Sequence, residues 1–367
     1  MDQDCFDVAV IGAGMAGLIC AQQLTQAGYR VVVLEKSRGL GGRMATRRLQ
    51  ETWADHGVRY LELNPKSELY PLVPALLQRE MIVPWATPLY TWAADGLKPM
   101  PESYPRYAAP LGISAIAKFL GQGLEVRLNQ RVIGLHLSEI AMYPEASWQI
   151  ISESSAPVSA TALVIAIPAP QALDLCEPLA AKGLAPEFVR ALQDATYAPC
   201  LSAIAGYPPE FQTEIDQLPW QAITALDDPI LDWVGIDSSK RTQLAQPTVV
   251  LQSTAAFAHS CLESASLEAA GQAMLNQAEQ NLLPRLAAPS WLQVHRWRYA
   301  FPLHPYPAEF LQAPIEQLLI CCGDWCGGSG VAAALKSGLA AGDRLNSQFH
   351  SRSLPSFELI IDQLNAL

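Results

Sequence analysis

At 367 residues the chain has room for two or three domains, and with half its residues apolar and 16% charged it can bury a sizeable core, which excludes a disordered chain. Its 35 Asp and Glu outnumber 24 Lys and Arg, for a formal net charge of −11, and this balance disfavours DNA or RNA as a partner because backbone binding needs a basic face. No stretch reaches the roughly 18 apolar residues of a membrane-spanning helix.

The N-terminus, MDQDCFD, carries acids where a signal peptide carries a basic region, so a cytoplasmic location is expected. A short apolar strand is predicted over about residues 6–11. Gly12, Gly14 and Gly17 follow in GxGxxG spacing, with Ala13, Met15 and Ala16 between them, and open a helical pattern that Gly28 ends. A second strand, Arg30 to Leu34, ends at Glu35, 18 residues after Gly17. This is the setting a dinucleotide-binding turn requires. Gly12 allows the tight turn, Gly14 lets the backbone approach a pyrophosphate, and Gly17 lets helix and strand pack closely. The helix N-terminus offers free N–H groups to the phosphates, and Glu35 accepts hydrogen bonds from a ribose.

FAD and NAD share this unit, and residues 36–48 decide between them. Gly39, Gly41 and Gly42 prevent an ordinary helix after Glu35. A glycine-rich loop carrying Arg38 and Arg43 can instead fold back over the pyrophosphate, whose charge the guanidinium groups neutralise. Arg47 and Arg48 have no assigned role. ExxRGLGGRM resembles the segment that follows the ribose acid in the flavin-containing amine oxidase superfamily, which binds FAD. ADHGVRYLEL, 54–63, resembles that superfamily's segment beside the flavin, with Arg59 where relatives often carry Gln. The resemblance implies cofactor contacts at Lys36, Ser37, Gly42, Arg43, Met44, Gly57, Val58, Arg59 and Tyr60.

Further along, residues 66–108 are rich in Pro, Tyr and Trp and suggest a helix and then short strands. A helix is predicted over 111–123, a strand, turn and strand over 124–137, a meander strand over 147–153, and a buried strand over 160–170 broken by Pro168 and Pro170. In the resembling family the backbone at Val132 holds the adenine, and Pro168 belongs to the cofactor site. Helical stretches are predicted at 171–194 and 265–287, with strands near 200–206, 221–236 and 248–257.

HRWRYAF, 295–301, read as a strand, places His295, Trp297 and Tyr299 on one face and the arginines on the other. QLLICCGDWCGGSGVAAALKSGLAAGDRL, 317–345, reads as a buried strand, a glycine turn and a small-residue helix starting near Val331. The family resemblance gives Asp324, after Gly323, a hydrogen bond to the ribityl chain, and aims the helix at Gly330, Val331 and Ala334 towards the flavin pyrimidine, where its dipole favours the reduced anion. Eight cysteines show no zinc spacing and read as reduced thiols, and DWCGGSG does not resemble a covalent flavin attachment, so FAD is expected to bind non-covalently.

The expected fold is α/β, with a discontinuous Rossmann-type FAD-binding domain (1–65, 109–170, 296–350), an inserted α+β substrate domain on a mixed sheet (66–108, 171–295) and a C-terminal tail (351–367). SRGLGGRM, HRWRYAF and GDWCGGSGV together resemble the renalase branch of the superfamily. That resemblance implies an oxidase that takes a hydride from 2- or 6-dihydro isomers of NAD(P)H onto flavin N5 and passes the electrons to O2, giving hydrogen peroxide, with NAD(P)H itself a further candidate substrate. His295, Trp297 and Arg298 are then the candidates for positioning the substrate, and a monomer is expected. Two rivals stand beside it: a flavin amine oxidase or desaturase acting on an apolar small molecule, and a non-catalytic flavin-binding or redox-sensing protein.

Overall fold

The computed structural model describes residues 5–49, 52–85, 89–100, 104–137, 148–241 and 246–367. The first four residues lie outside it, as do Ser147, where the meander strand is expected to begin, and parts of the expected 66–108 segment (86–88 and 101–103).

The sequence opens with β1 (Cys5–Ile11), α1 (Met15–Gln26) and β2 (Val31–Leu34), and the two strands pair in parallel. All four residues of β2, VVVL, are buried, as expected of a parallel strand covered on both faces. Among the described residues the sheet has eight strands. Glu125–Arg127 flanks β2, while Val158–Ile165 pairs in parallel with β1 and with Leu319–Cys321. Trp148–Ser152 and Val132–Leu137 add an antiparallel edge. The helix Gly330–Gln348 packs on α1 through small residues: a Cβ on Gly338 would stand 2.3 Å from the Ala16 carbonyl oxygen, so any larger residue would push the helices apart.

A second sheet, of seven strands among the described residues, runs in the order Trp291–Pro302, Tyr197–Gly206, Thr248–Ser253, Leu231–Ile236, Ala222–Ala225, Leu89–Ala93, Gly96–Pro99. It is mixed, since Ala222–Ala225 and Leu89–Ala93 are parallel and the other pairs antiparallel. The helix Glu268–Asn281 covers one face, burying Met274, Leu275 and Ala278. Between the sheets lies a hairpin, β3 (Thr46–Leu49) paired with β4 (Thr52–Asp55).

The structure redraws several expected boundaries. Trp291–Pro302 is one strand of the seven-stranded sheet, so residues 296–302 belong there and not to the cofactor-binding part. Segment 66–108 divides. Leu72–Gln78 packs in the core of the first sheet and Arg106–Ala108 pairs with Leu61–Glu62, while Leu89–Pro99 joins the second sheet. The expected tail contains a helix, Phe357–Ala366, whose Phe357, Ile360, Ile361 and Leu364 are buried against the same core. Pro168 and Pro170 do not break the strand. It ends at Ile165, and the prolines open the helix Ala169–Cys176, where a missing N–H has no cost. The expected strand at 221–236 is a hairpin of two, and the one at 248–257 stops at Ser253, with Thr254 capping the helix Ala255–Cys261.

Candidate active site

The first turn is shaped as its glycines require. Gly12 has φ +103°, and a Cβ there would stand 2.6 Å from the Ala166 carbonyl oxygen; one on Gly17 would stand 2.0 Å from the Gly12 oxygen. Gly14 differs: a Cβ there meets nothing within 4 Å. It is the N-cap of α1 and supplies no side-chain acceptor, so the first N–H groups of the helix, from Met15, Ala16 and Gly17, are free for an anion. The loop that follows β2 folds back onto this turn. The Gly41 N–H donates to the Ala13 oxygen at 2.9 Å, and a Cβ on Gly42 would lie 3.7 Å from the Gly14 Cα.

Glu35 is buried at 6% exposure beside the turn. Its carboxylate accepts from the Ala13 N–H and the Ser37 N–H, each at 2.8 Å, which leaves lone pairs for a ribose. The Gln130 N–H donates to the Glu35 carbonyl at 2.8 Å and brings the start of the Val132–Leu137 strand to the same corner. Lys36 donates to Gln171 at 3.1 Å, its ammonium pushed down by burial. Met44 is buried in the core.

Arg43 and Asp324, expected on the pyrophosphate and the ribityl chain, meet at 2.5 Å, and Arg43 also donates to the Ala300 oxygen at 3.1 Å. One guanidinium thus joins the glycine loop, the GDW turn and the long strand of the second sheet. The Gly323 N–H donates to Ser337 Oγ at 2.9 Å, fixing that turn to the helix Gly330–Gln348. Gly330 has φ +79° at the helix start, Ser329 caps it with no side-chain bond, Val331 is half-buried and Ala334 is buried at 8% exposure. Two helix N-termini without side-chain acceptors, an open glycine backbone and a buried carboxylate with spare lone pairs fit an extended dinucleotide such as FAD. Cys326 is buried, with its thiol pushed up by burial, which suits a non-covalent site.

Segment 56–60 lines the second sheet. The Val58 N–H donates to the Arg43 oxygen at 3.0 Å, and a Cβ on Gly57 would lie 3.3 Å from Trp297. Ser202 Oγ and Trp297 Nε1 both donate to the His56 oxygen, at 2.7 and 2.8 Å. Gln252 donates to the Gly57 oxygen at 2.7 Å. Arg59, expected at the cofactor, donates to Gln252 at 2.6 Å and pairs with Asp232, with its guanidinium over Trp233. The Tyr60 ring packs on Trp85 at 5.7 Å.

Along Trp291–Pro302, His295, Trp297 and Arg298 take the faces that the alternation predicts, but the face given to Arg298 is the wrong one for a residue expected to position the substrate. His295 and Trp297 form an aromatic wall with His56, with ring centroids 4.3 to 5.3 Å apart, and Tyr299 packs on Tyr197 at 5.6 Å. Arg298 lies on the opposite face in an exposed ion pair with Glu263 at 2.6 Å, because its register sends it outward. It does not reach the wall. Arg47, left without a role by the sequence, has its Nη1 3.4 Å from His295 Nδ1. Burial, with His295 and Arg47 nearby, pushes the His56 imidazole down to about 3, and burial and Arg47 push His295 down to about 4. Both rings are therefore neutral at pH 7.

Sequence reasoning missed His56, Tyr197 and a buried ionic cluster behind the wall. In that cluster, Lys240 Nζ lies 2.7 Å from Asp237 and 3.6 Å from Asp55, and Arg241 pairs with both acids. Asp237, Lys240 and Arg241 stand at i, i+3 and i+4, a spacing that could have signalled the cluster. His56 stood as a lone histidine inside the ADHGVRY string and offered no pattern.

Comparison with known proteins agrees with this geometry. The family model described as "Flavin containing amine oxidoreductase" matches residues 92–346, and the one described as "NAD(P)-binding Rossmann-like domain" matches residues 10–76. The chain is 40% identical over 58 residues to the Protein anon-37Cs of Drosophila lebanonensis, covering 16% of this chain and 11% of that one. It is 48% identical over 50 residues to the L-amino acid oxidase Cdc18 of Crotalus durissus cumanensis, covering 14% and 10%. The matched stretches span 10% to 11% of the length of these curated relatives. A structure of putrescine oxidase bound to putrescine superposes with a TM-score of 0.70 at 14% identity, covering 94% of this chain and 99% of that one; at such identity the likeness shows the fold.

Proposed function

The chain belongs to the flavin-containing amine oxidoreductase family and is an FAD-dependent oxidoreductase, and from that premise we propose that it is a renalase-like oxidase of dihydronicotinamide dinucleotides, the 2- or 6-dihydro isomers of NAD(P)H. Bound FAD supplies the two-electron acceptor and the reaction with O2 that yields hydrogen peroxide. The chain's residues hold that cofactor at the glycine turn, Glu35, Arg43 and the helix starting at Gly330. Loss of a hydride from a dihydropyridine restores aromaticity, so the protein needs no strong base, and its task is to hold a flat ring in place and exclude water.

The observation that carries the reading is the wall made by His56, His295 and Trp297. It is aromatic, with the His56 and Trp297 rings tilted 31° to each other and His295 edge-on to both, and its imidazoles are neutral at pH 7 because burial pushes them down to about 3 and about 4. The lysine behind it, Lys240, is held by two carboxylates and is not free to act on an amine. The test is anaerobic mixing of the FAD-loaded protein with the 2-, 4- and 6-dihydro isomers of NAD(P). Rapid bleaching of the flavin by the 2- or 6-isomer is expected. Bleaching by an amine, with none by any dihydropyridine, would support the second reading, a flavin amine oxidase, which the likeness to a putrescine oxidase and an L-amino acid oxidase favours.

A further inference from the structure

We propose that Arg47, His56 and His295 form a subsite for an uncharged amide on the substrate ring, the carboxamide of a nicotinamide, and that the same three groups turn away a protonated amine. The proposal rests on the dihydronicotinamide reading and names the part of the substrate that the chain recognises.

Three strands bring the groups together. In the β3–β4 hairpin Arg47 stands opposite Ala54, so His56, two residues beyond Ala54, projects to the same side as Arg47. His295 comes from Trp291–Pro302, where it pairs with Ser202, the residue whose hydroxyl donates to the His56 oxygen. Two donors on that oxygen, Ser202 Oγ and Trp297 Nε1, fix the His56 backbone, and the His56 ring is packed edge-on to His295 at 4.8 Å.

The chemistry of the three groups is specific. His56 is 5% exposed, and its Nδ1 has no hydrogen-bond partner among the described residues. A buried ring nitrogen left in this state is costly until a ligand or water meets it. Arg47 keeps its charge at every working pH and faces an imidazole, with no carboxylate pairing it among the described residues. The nearby acids, Asp55 and Asp237, are taken up by Lys240 and Arg241. Arg47 therefore offers N–H donors to a carbonyl oxygen, and the His56 nitrogen can pair with the amide nitrogen. A carboxamide presents both partners on one planar group beside an aromatic ring, and Trp297, 4.3 Å from His295 between ring centroids, provides a surface for that ring. An ammonium group would meet the Arg47 charge with no acid to balance it.

The experiment titrates the oxidised, FAD-loaded protein with nicotinamide, pyridine, 3-picolylamine and nicotinate, reading the visible difference spectrum of the flavin. Nicotinamide should bind about tenfold more tightly than pyridine, the gain of a hydrogen-bonded polar group in a buried site, and 3-picolylamine no more tightly than pyridine. Arg47→Met and His56→Phe should each erase most of the preference for nicotinamide over pyridine, while Arg47→Lys keeps part of it. His295→Phe serves as the second variant should His56→Phe fail to load FAD. Equal binding of nicotinamide and pyridine, or an unchanged ratio in Arg47→Met, would overturn the subsite. Nicotinate binding tenfold more tightly than nicotinamide would overturn the assignment to an amide in favour of a carboxylate. The function reading stands or falls separately, on whether a dihydropyridine bleaches the wild-type flavin.

Discussion

A single methyl group separates the roles of two glycines in the first turn. On Gly17 it would collide with the Gly12 oxygen at 2.0 Å, whereas on Gly14 it would meet no protein atom within 4 Å. Gly14 has φ −77° and ψ 179°, which any residue adopts. Gly17→Ala should therefore destabilise the chain with or without cofactor, by about 1–3 kcal/mol for an overpacked contact. Gly14→Ala should leave the melting temperature of the flavin-stripped protein unchanged and still weaken FAD binding, measured by equilibrium dialysis. Equal loss of stability in both variants would show that Gly14 serves packing and not the cofactor. The two neutral histidines give a second residue-scale expectation. Their folded values, about 3 for His56 and about 4 for His295, lie below the unfolded value of roughly 6.5, so the unfolded chain binds protons that the folded chain refuses. Stability from this source is complete above pH 6.5 and is lost as pH falls below it. Thermal melts between pH 7.5 and 5 should decline, and His56→Gln should flatten the decline; an unchanged slope would mean that His56 titrates normally.

At the scale of elements, the strand Trp291–Pro302 shows what a sequence can and cannot carry. Its alternation was readable and put His295, Trp297 and Tyr299 on one face, because the pleat enforces a period of two. The same alternation put Arg298 on the opposite face, which argues against its expected part in positioning the substrate. Arg298 lies on the exposed side, where it pairs with Glu263. Arg298→Ala should accordingly leave turnover and FAD content unchanged, as measured by flavin bleaching and the visible spectrum; a large loss of turnover would return it to the site. The glycine turn, β1, α1 and β2 were legible because each is set by neighbours within a few residues. The division of 66–108 between two cores was not, since the choice between the Leu72–Gln78 packing and the Leu89–Ala93 pairing is made by residues far away in the chain. His56 escaped notice for the same reason, its partners Ser202 and His295 lying 146 and 239 positions on.

For the whole molecule, the buried ionic cluster ties the β3–β4 hairpin to the second sheet. Asp55 ends β4 and also accepts from Thr46 Oγ1 at 2.7 Å and the Ile113 N–H at 2.8 Å, so it gathers the hairpin and the start of the helix Ser114–Leu120. Asp237, Lys240 and Arg241 come from the turn after Leu231–Ile236 in the second sheet. All four side chains are at most 2% exposed. Burial alone would raise both carboxyl groups. For Asp237 the opposing pull of Lys240 and Arg241 wins and lowers it, while Asp55, with the like charge of Asp237 nearby, stays raised. Two cations and two acids thus balance, and removing one cation leaves a buried charge that nothing else is placed to neutralise. Breaking a buried pair in this way costs about 3–5 kcal/mol. Arg241→Met should destabilise the FAD-loaded protein by that amount in chemical denaturation, and should also loosen β3–β4, which carries Arg47 and leads into His56. Adding Asp237→Asn to Arg241→Met should recover part of the loss, because it removes the charge the first change left unpaired. The double-mutant cycle decides the matter: additive losses would mean that Arg241 and Asp237 act separately, whereas recovery in the double variant would mark them as a coupled pair.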